Sequence, residues 1–272
     1  MERREYHLIV EEETDAPALL APVTGLAMGR IKRAMANGAL WLERGGNVAR
    51  LRRAGRRLRE GDRLHFYFDP QIQETSPPPA QLVADEGDWS VWYKPPGMFS
   101  QGSRWGDHCS IARWAETHLE PRRNAFIVHR LDRAASGLIL VAHARRSARE
   151  LSQRFRERAI RKEYRVLVHG RFPGGVQQFD ADLDGRKALT RASLLAFDEA
   201  KDLSLLAVEI ETGRKHQIRR HLAEAGFPVV GDRLHGDDGV EDLKLQAVRL
   251  AFTATSGERH DYRLPQEWLL GL

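Results

Sequence analysis

The stretch FIVHRLDRAASGLILVA, residues 126 to 142, constrains this chain more than any other. Two apolar runs with the character of buried strands are broken by His129, Arg130, Leu131 and Asp132, and then by a turn of small residues. Any fold that uses this stretch has to present one carboxylate, flanked by Arg130 and Arg133, between two buried segments. Burial disfavours the charged form of a carboxylate, so an ionised Asp132 needs a cation beside it.

The rest of the chain sets the class. It has 272 residues, 42% hydrophobic and 30% charged, which is the profile of a soluble globular protein. That length suits one large domain and a small one. The apolar runs fall short of the ~18 residues that span a bilayer, and the opening MERREYHLIVEEETD lacks the apolar core of a signal peptide. Cys109 is the only cysteine, which excludes an internal disulfide and a cysteine-based zinc cluster. It reads as inert filler. A cytoplasmic protein with no membrane association is expected.

Net charge is +5, but its distribution matters more. Residues 30 to 63 hold 11 lysines and arginines against three acids, and residues 122 to 165 hold 13 against four. Arginine dominates both blocks, and its planar fork suits bidentate phosphate contacts. Blocks so one-sided point to a polyanionic partner.

Residues 71 to 81, QIQETSPPPAQ, read as a proline-rich linker. Residues 1 to 70 before it form a small basic unit. A short helix there carries Ile31, Ala34 and Met35 on one face. The strand ALWLE, a turn at Gly45-Gly46-Asn47 and a strand with Leu64, Phe66 and Phe68 on one face follow. This pattern resembles the S-four-type RNA-binding domain, with Lys32 and Arg33 among the candidate RNA contacts.

After the linker, residues 82 to 272 form the second domain. DWSVWYKPPG reads as a strand ending in a turn, and residues 145 to 159 as a basic amphipathic helix carrying Ala148, Leu151, Phe155 and Ala159. KEYRVLV, ALTRASLLAF, LSLLAVEIET, FPVVGD and LQAVRLAFTA read as strands, and HQIRRHLAEAG as a helix capped by Gly226. Strands and helices do not alternate regularly, so a doubly wound sheet is excluded in favour of α+β with a largely antiparallel mixed sheet.

Phosphate loops, dinucleotide fingerprints and zinc-protease motifs are missing. HRLDRAASGL instead resembles the H-R-L-D-x-x-T-S-G-L signature of RluA-type RNA pseudouridine synthases. YKPPG, KEYRVLV, TGRKHQIRRHL and GDRLHG resemble four further motifs of that family, in its order, over about residues 85 to 255. Three positions depart from the pattern: Ala135 stands where threonine is usual, His235 where tyrosine is usual, and Gln246 where histidine is usual.

The resemblance implies an isomerase that detaches uracil from its ribose, turns it while bound and rejoins it through carbon 5. Asp132 would be the nucleophile or would assist deprotonation, with attack on sugar or base left open. Arg219 would be its cationic partner. Tyr164 would stack under the target base and serve proton transfer. Arg130 would fill the gap left by the flipped uridine, since the glycosidic bond is shielded in a stacked helix. Lys94, at a Pro-Pro turn, and Arg214, before a helix, suit phosphate binding. His129 reads as a structural histidine in preference to a catalytic base.

No cofactor or metal is expected, because the isomerisation involves no redox change and no external group. The expected partner is structured RNA, rRNA or tRNA. No protein partner is implied, and a monomer is expected. Two rivals remain: a non-catalytic RNA-binding or ribosome-assembly protein on the same fold, and a hydrolytic N-glycosidase. The set Asp132, Tyr164 and Arg219 argues against the first. The lack of a second carboxylate near Asp132 in the sequence to activate water argues against the second.

Overall fold

The computed structural model describes residues 2–236 and 242–272. The chain divides into two compact units, one of Met1–Pro77 with Gln101–His118, the other of Pro78–Ser100 with Leu119–Leu272.

The first unit opens with β1 (Arg4–Ile9), β2 (Thr14–Asp15), α1 (Ala16–Thr24), α2 (Met28–Ala36), β3 (Leu40–Arg44), β4 (Asn47–Arg50), β5 (Arg57–Leu58), β6 (Arg63–Phe68) and α3 (Pro70–Glu74). The four longer strands pair antiparallel in the order β1-β6-β3-β4. β6 alternates in burial, with Leu64, Phe66 and Phe68 inside. α2 lays Ile31, Ala34 and Met35 on the same core, where the spacing of the sequence put them. Its outward residues include Lys32 and Arg33, both exposed.

Residues 101–118 extend this unit and were not distinguished from the second domain in sequence. They end in a helix, Ile111–His118. Asp107 takes ion pairs from Arg50 and Arg52, and Gln73 donates to the Trp105 carbonyl. The expected linker over residues 71 to 81 is shorter in the structure. Asp69 caps α3 by accepting from the N–H groups of Gln71 and Ile72, and a strand begins at Gln81.

The helix Ile111–His118 of the first unit is α4 in chain order; the second unit holds β7 (Gln81–Asp85), β8 (Trp89–Lys94), β9 (Phe126–Ile127), β10 (Ser136–Ala142), α5 (Arg145–Arg156), β11 (Arg161–His169), β12 (Val176–Phe179), β13 (Thr190–Asp198), β14 (Leu203–Ile210), α6 (Gln217–Glu224), β15 (Leu245–Thr253) and β16 (Arg259–Arg263). The main sheet runs β12-β13-β14-β11-β15-β10-β8-β7, with β16 beside β15 and β9 beside β10. All its pairs are antiparallel except β10 with β15. The fold is therefore α+β with a largely antiparallel sheet.

β10 is buried along almost its whole length, which explains its unbroken apolar run. Gly137 is what admits it. Its φ is +108°, and a Cβ there would lie 2.2 Å from the Ala247 carbonyl oxygen on β15. The small residues after Asp132 thus let the strand approach its parallel neighbour closely.

Two local readings are corrected. The helix expected over residues 145 to 159 ends at Arg156, because Arg158 takes a left-handed backbone and Ala159 is exposed. FPVVGD forms no named strand. It contributes one isolated bridge, Val229 to Val168, since its backbone turns at Gly231 and Asp232.

Candidate active site

Asp132 sits in the loop that leads into β10. Two short anchors hold that loop. Ser100 Oγ donates to the Leu131 carbonyl at 2.7 Å and accepts from the Leu131 N–H at 3.0 Å. Lys94, at the end of β8, donates to the carbonyls of Pro95, Met98, Arg133 and Ala135.

Lys94 corrects an expectation. Its place at a Pro-Pro turn suits a phosphate contact, but it is 0% exposed and its ammonium is spent on four carbonyls. Burial pushes it down to about 7, against the pull of the Asp132 charge. It ties the Pro-Pro turn to the Asp132 loop, and its burial leaves no face of the ammonium open to a phosphate. Ala135, where the family pattern has threonine, takes part through its backbone, accepting from Lys94 at 2.6 Å.

Arg219 meets Asp132 from α6. Residues upstream set that helix in place. Gln217 accepts from Thr212 Oγ1 at 2.6 Å and from the Arg214 N–H at 3.0 Å, and donates to the Leu189 carbonyl at 2.9 Å. Arg219 then projects inward, its side chain only 6% exposed, and Nη1 donates to Asp132 Oδ2 at 2.9 Å. Asp132 keeps 26% of its side chain open to solvent, so the carboxylate is paired yet reachable.

Asp232 completes the arrangement, and sequence reading missed it. It is fully buried and takes two hydrogen bonds from Arg219, at 2.7 Å from Nε and 2.5 Å from Nη2. It also accepts from the N–H groups of Leu234 and His235. Burial alone would raise its pKa, but the Arg219 guanidinium outweighs it and holds the carboxyl below the usual range. Burial likewise opposes the charge on Arg219, and Asp232 and Asp132 together hold its pKa above the ordinary value. The sequence signal for Asp232 was its place in GDRLHG, the stretch that resembles a family motif.

Tyr164 lies on β11 and is buried. Burial first, and then the charge of Asp132, push its phenol above the ordinary value. Its hydroxyl makes no hydrogen bond among the described residues. His216 begins α6 in a left-handed conformation, with Nε2 3.9 Å from Asp132 Oδ1 and Nδ1 2.9 Å from His235 Nε2. His235, one of the three departures, therefore partners His216. Gln246, another, donates to the Trp268 carbonyl and accepts from the Leu270 N–H, fastening the C-terminal segment.

The remaining candidates separate. Arg130 is exposed and without a partner among the described residues. Arg214 lies half-buried with Nε on the Lys187 carbonyl. His129 stacks on Phe155 and accepts from the Leu140 N–H at 2.9 Å, and burial pushes it down to about 3. It is a neutral structural histidine. Among the described residues no cluster of His, Cys, Asp and Glu is arranged to hold a metal ion, and no helix is long and apolar enough to cross a membrane.

A family model described as RNA pseudouridylate synthase matches residues 88–224, half of the chain. An uncharacterised RNA pseudouridine synthase of Aquifex aeolicus is 29% identical, over 85% of this chain and 79% of that protein. Another from Bacillus subtilis is 32% identical, over 66% of this chain and 70% of its own length. Ribosomal large subunit pseudouridine synthase C of Vibrio cholerae is 31% identical, over 65% and 62%. Among solved structures, human RNA pseudouridylate synthase domain containing 1 shares the fold with a TM-score of 0.60 at 21% identity, covering 70% of this chain and 85% of that one. The family match, the identity to these relatives and the shared fold agree, and the chain belongs to the RNA pseudouridylate synthase family of isomerases.

Proposed function

We propose that the chain converts a specific uridine in structured RNA to pseudouridine, with Asp132 as the nucleophile acting on a flipped base. The observation that carries this reading is the reachable Asp132 carboxylate paired with a buried arginine, Arg219, that Asp232 holds from behind. Arg219 pairs with the Asp132 carboxylate and aims it, as a nucleophile requires. Arg130, exposed and uncommitted beside it, is suited to enter the stack as the uridine leaves. Relatives named for the ribosomal large subunit favour ribosomal RNA as the target class. A cytoplasmic enzyme fits that target. Pseudouridine mapping of total RNA from cells with and without the gene tests both activity and site. A lost site is expected, and an unchanged map overturns the reading. Since Ala135 and Gln246 both have structural partners, nothing in their surroundings favours the non-catalytic alternative.

Tyr164 is protonated in the resting site, because burial and the Asp132 charge both oppose its ionisation. Once Asp132 forms a covalent bond, that charge is gone and the phenol becomes easier to ionise. As a phenolate, with its own proton released to water, it is then suited to take the proton from carbon 5. Tyr164→Phe keeps the ring and removes the hydroxyl. Single-turnover rates should fall about 100-fold or more, the scale of a lost acid–base group, with RNA affinity near wild type. Unchanged rates would reduce Tyr164 to a stacking platform.

The first unit supplies the proposed RNA-binding surface. Of its basic residues between 30 and 63, Lys32, Arg33, Arg53, Arg56, Arg57 and Arg59 are exposed and have no ion pair among the described residues. Phosphate binding releases counterions, so affinity falls with salt at about −0.7 to −0.9 in log–log slope per contact. The double variant Lys32→Gln, Arg33→Gln should flatten that slope by about one to two units. An unchanged slope in a folded protein would mean that this face is merely solvated. Truncation near residue 80 is a poor test, because it strips residues 101–118 of the strands they pack with in their own unit.

A further inference from the structure

Lys162 is the second buried lysine of the catalytic unit, and its situation is the reverse of Lys94. It lies on β11 two residues before Tyr164, and burial alternates along that strand so that both face inward. Lys162 is only 7% exposed. Among the described residues its Nζ makes no hydrogen bond and no ion pair, yet it is not sealed from solvent. The charge that acts on it is of the same sign: Arg158, exposed just after α5 in a left-handed backbone and itself unpaired among the described residues. His129, whose ring the Lys162 charge also reaches, is neutral. Opposite Lys162 on β15 stands Leu250, which is apolar and buried.

Burying an ammonium without a partner is costly, and folded chains normally pair or solvate it. Burial, and then Arg158, push this one down to about 8. Two cations without an anionic partner among the described residues therefore act on each other here, Lys162 recessed near His129 and Arg158 exposed. An incoming anion would relieve both. Residues two apart on a strand are about 6 to 7 Å apart on the same face, so Lys162 stands within about one nucleotide's length of Tyr164.

We propose that Lys162 and Arg158 bind a backbone phosphodiester of the substrate RNA, next to the nucleotide presented to Asp132. The inference rests on the proposed function, since it takes the RNA held at Asp132 as the ligand. A phosphodiester is small, singly charged and rich in acceptor oxygens. It matches a recessed ammonium with an arginine at its rim. The charge on Lys162 serves binding, and the folded state is more stable without it.

The test uses the full chain and large-subunit ribosomal RNA transcripts carrying 5-tritiated uridine. Lys162→Met keeps the buried stem and deletes the charge, and Lys162→Arg keeps the charge. For Lys162→Met, the melting temperature should stay level or rise. The RNA concentration for half-maximal single-turnover rate should increase about tenfold, the scale of one charge-assisted contact. The salt slope of binding should flatten by about 0.7 to 0.9. Lys162→Arg should recover most of the slope. A lowered melting temperature with an unchanged slope would make Lys162 a structural residue and overturn the inference. Equilibrium binding, measured alongside, needs no turnover. If the wild type releases no tritium on any RNA, the proposed function fails, while the binding slopes still decide for or against the Lys162 contact.

Discussion

Asp132→Asn should abolish tritium release while leaving a folded protein that still binds RNA. The substitution keeps size and shape and removes only the charge. Arg219 retains Asp232, so its guanidinium is not stranded, and Asp132 itself is partly open to solvent. Loss of stability should therefore be small. Loss of rate should be at least about 1,000-fold, as is usual when a nucleophile is deleted from a site that still binds. Tritium release from RNA carrying 5-tritiated uridine measures it. Activity near wild type would remove Asp132 from the mechanism, and free uracil from the wild type would point to the glycosidase instead.

Asp232→Asn should cost both stability and rate. Asp232 lies behind Arg219, away from the proposed position of the substrate, so it acts as a positioning residue. Removing its charge leaves a buried guanidinium with Asp132 as its remaining carboxylate. Breaking one partner of a buried pair costs about 3 to 5 kcal/mol, and the continuing pair with Asp132 argues for the lower end. Denaturant titration reads this directly. In kinetics, kcat should fall more than KM rises, because Arg219 will still be present but poorly aimed. The acid limb separates this from general loosening. Asp232 has a depressed folded pKa, so its stabilisation is fully present above the unfolded value near about 4 and is lost as pH falls through the folded value. The wild type should lose this increment on acidification, and the variant should have a flatter acid limb. Parallel limbs would mean that the ion pair contributes nothing to stability.

Much of the second unit was legible because its local chemistry agrees with its final place. The apolar run after Asp132 becomes the buried β10, and ALTRASLLAF and LSLLAVEIET become the antiparallel pair β13 and β14. Asp132, Arg219 and Tyr164 are candidates through motif resemblance, since residues 87 apart along the chain, as Asp132 and Arg219 are, carry no local sign of contact. Lys94 was misread for a related reason. A lysine beside a Pro-Pro turn looks exposed until two loops close over it and supply four carbonyls. Residues 101 to 118 carry no local sign of the unit they join, because membership of a core depends on contacts such as Asp107 with Arg50 and Arg52, remote in sequence.

Residue order alone thus carried the family, the α+β class, the basic surface near the N-terminus and the carboxylate at the centre, because each depends on short-range pattern. The partnership of Arg219 with Asp232, the structural use of Lys94, the pairing of His216 with His235 and the unmet charge of Lys162 arose only on folding. Each of these turns on how far a side chain is removed from water and which distant groups surround it there. Those two quantities set the energy of a charge, and neither exists until the sheet and its loops have closed.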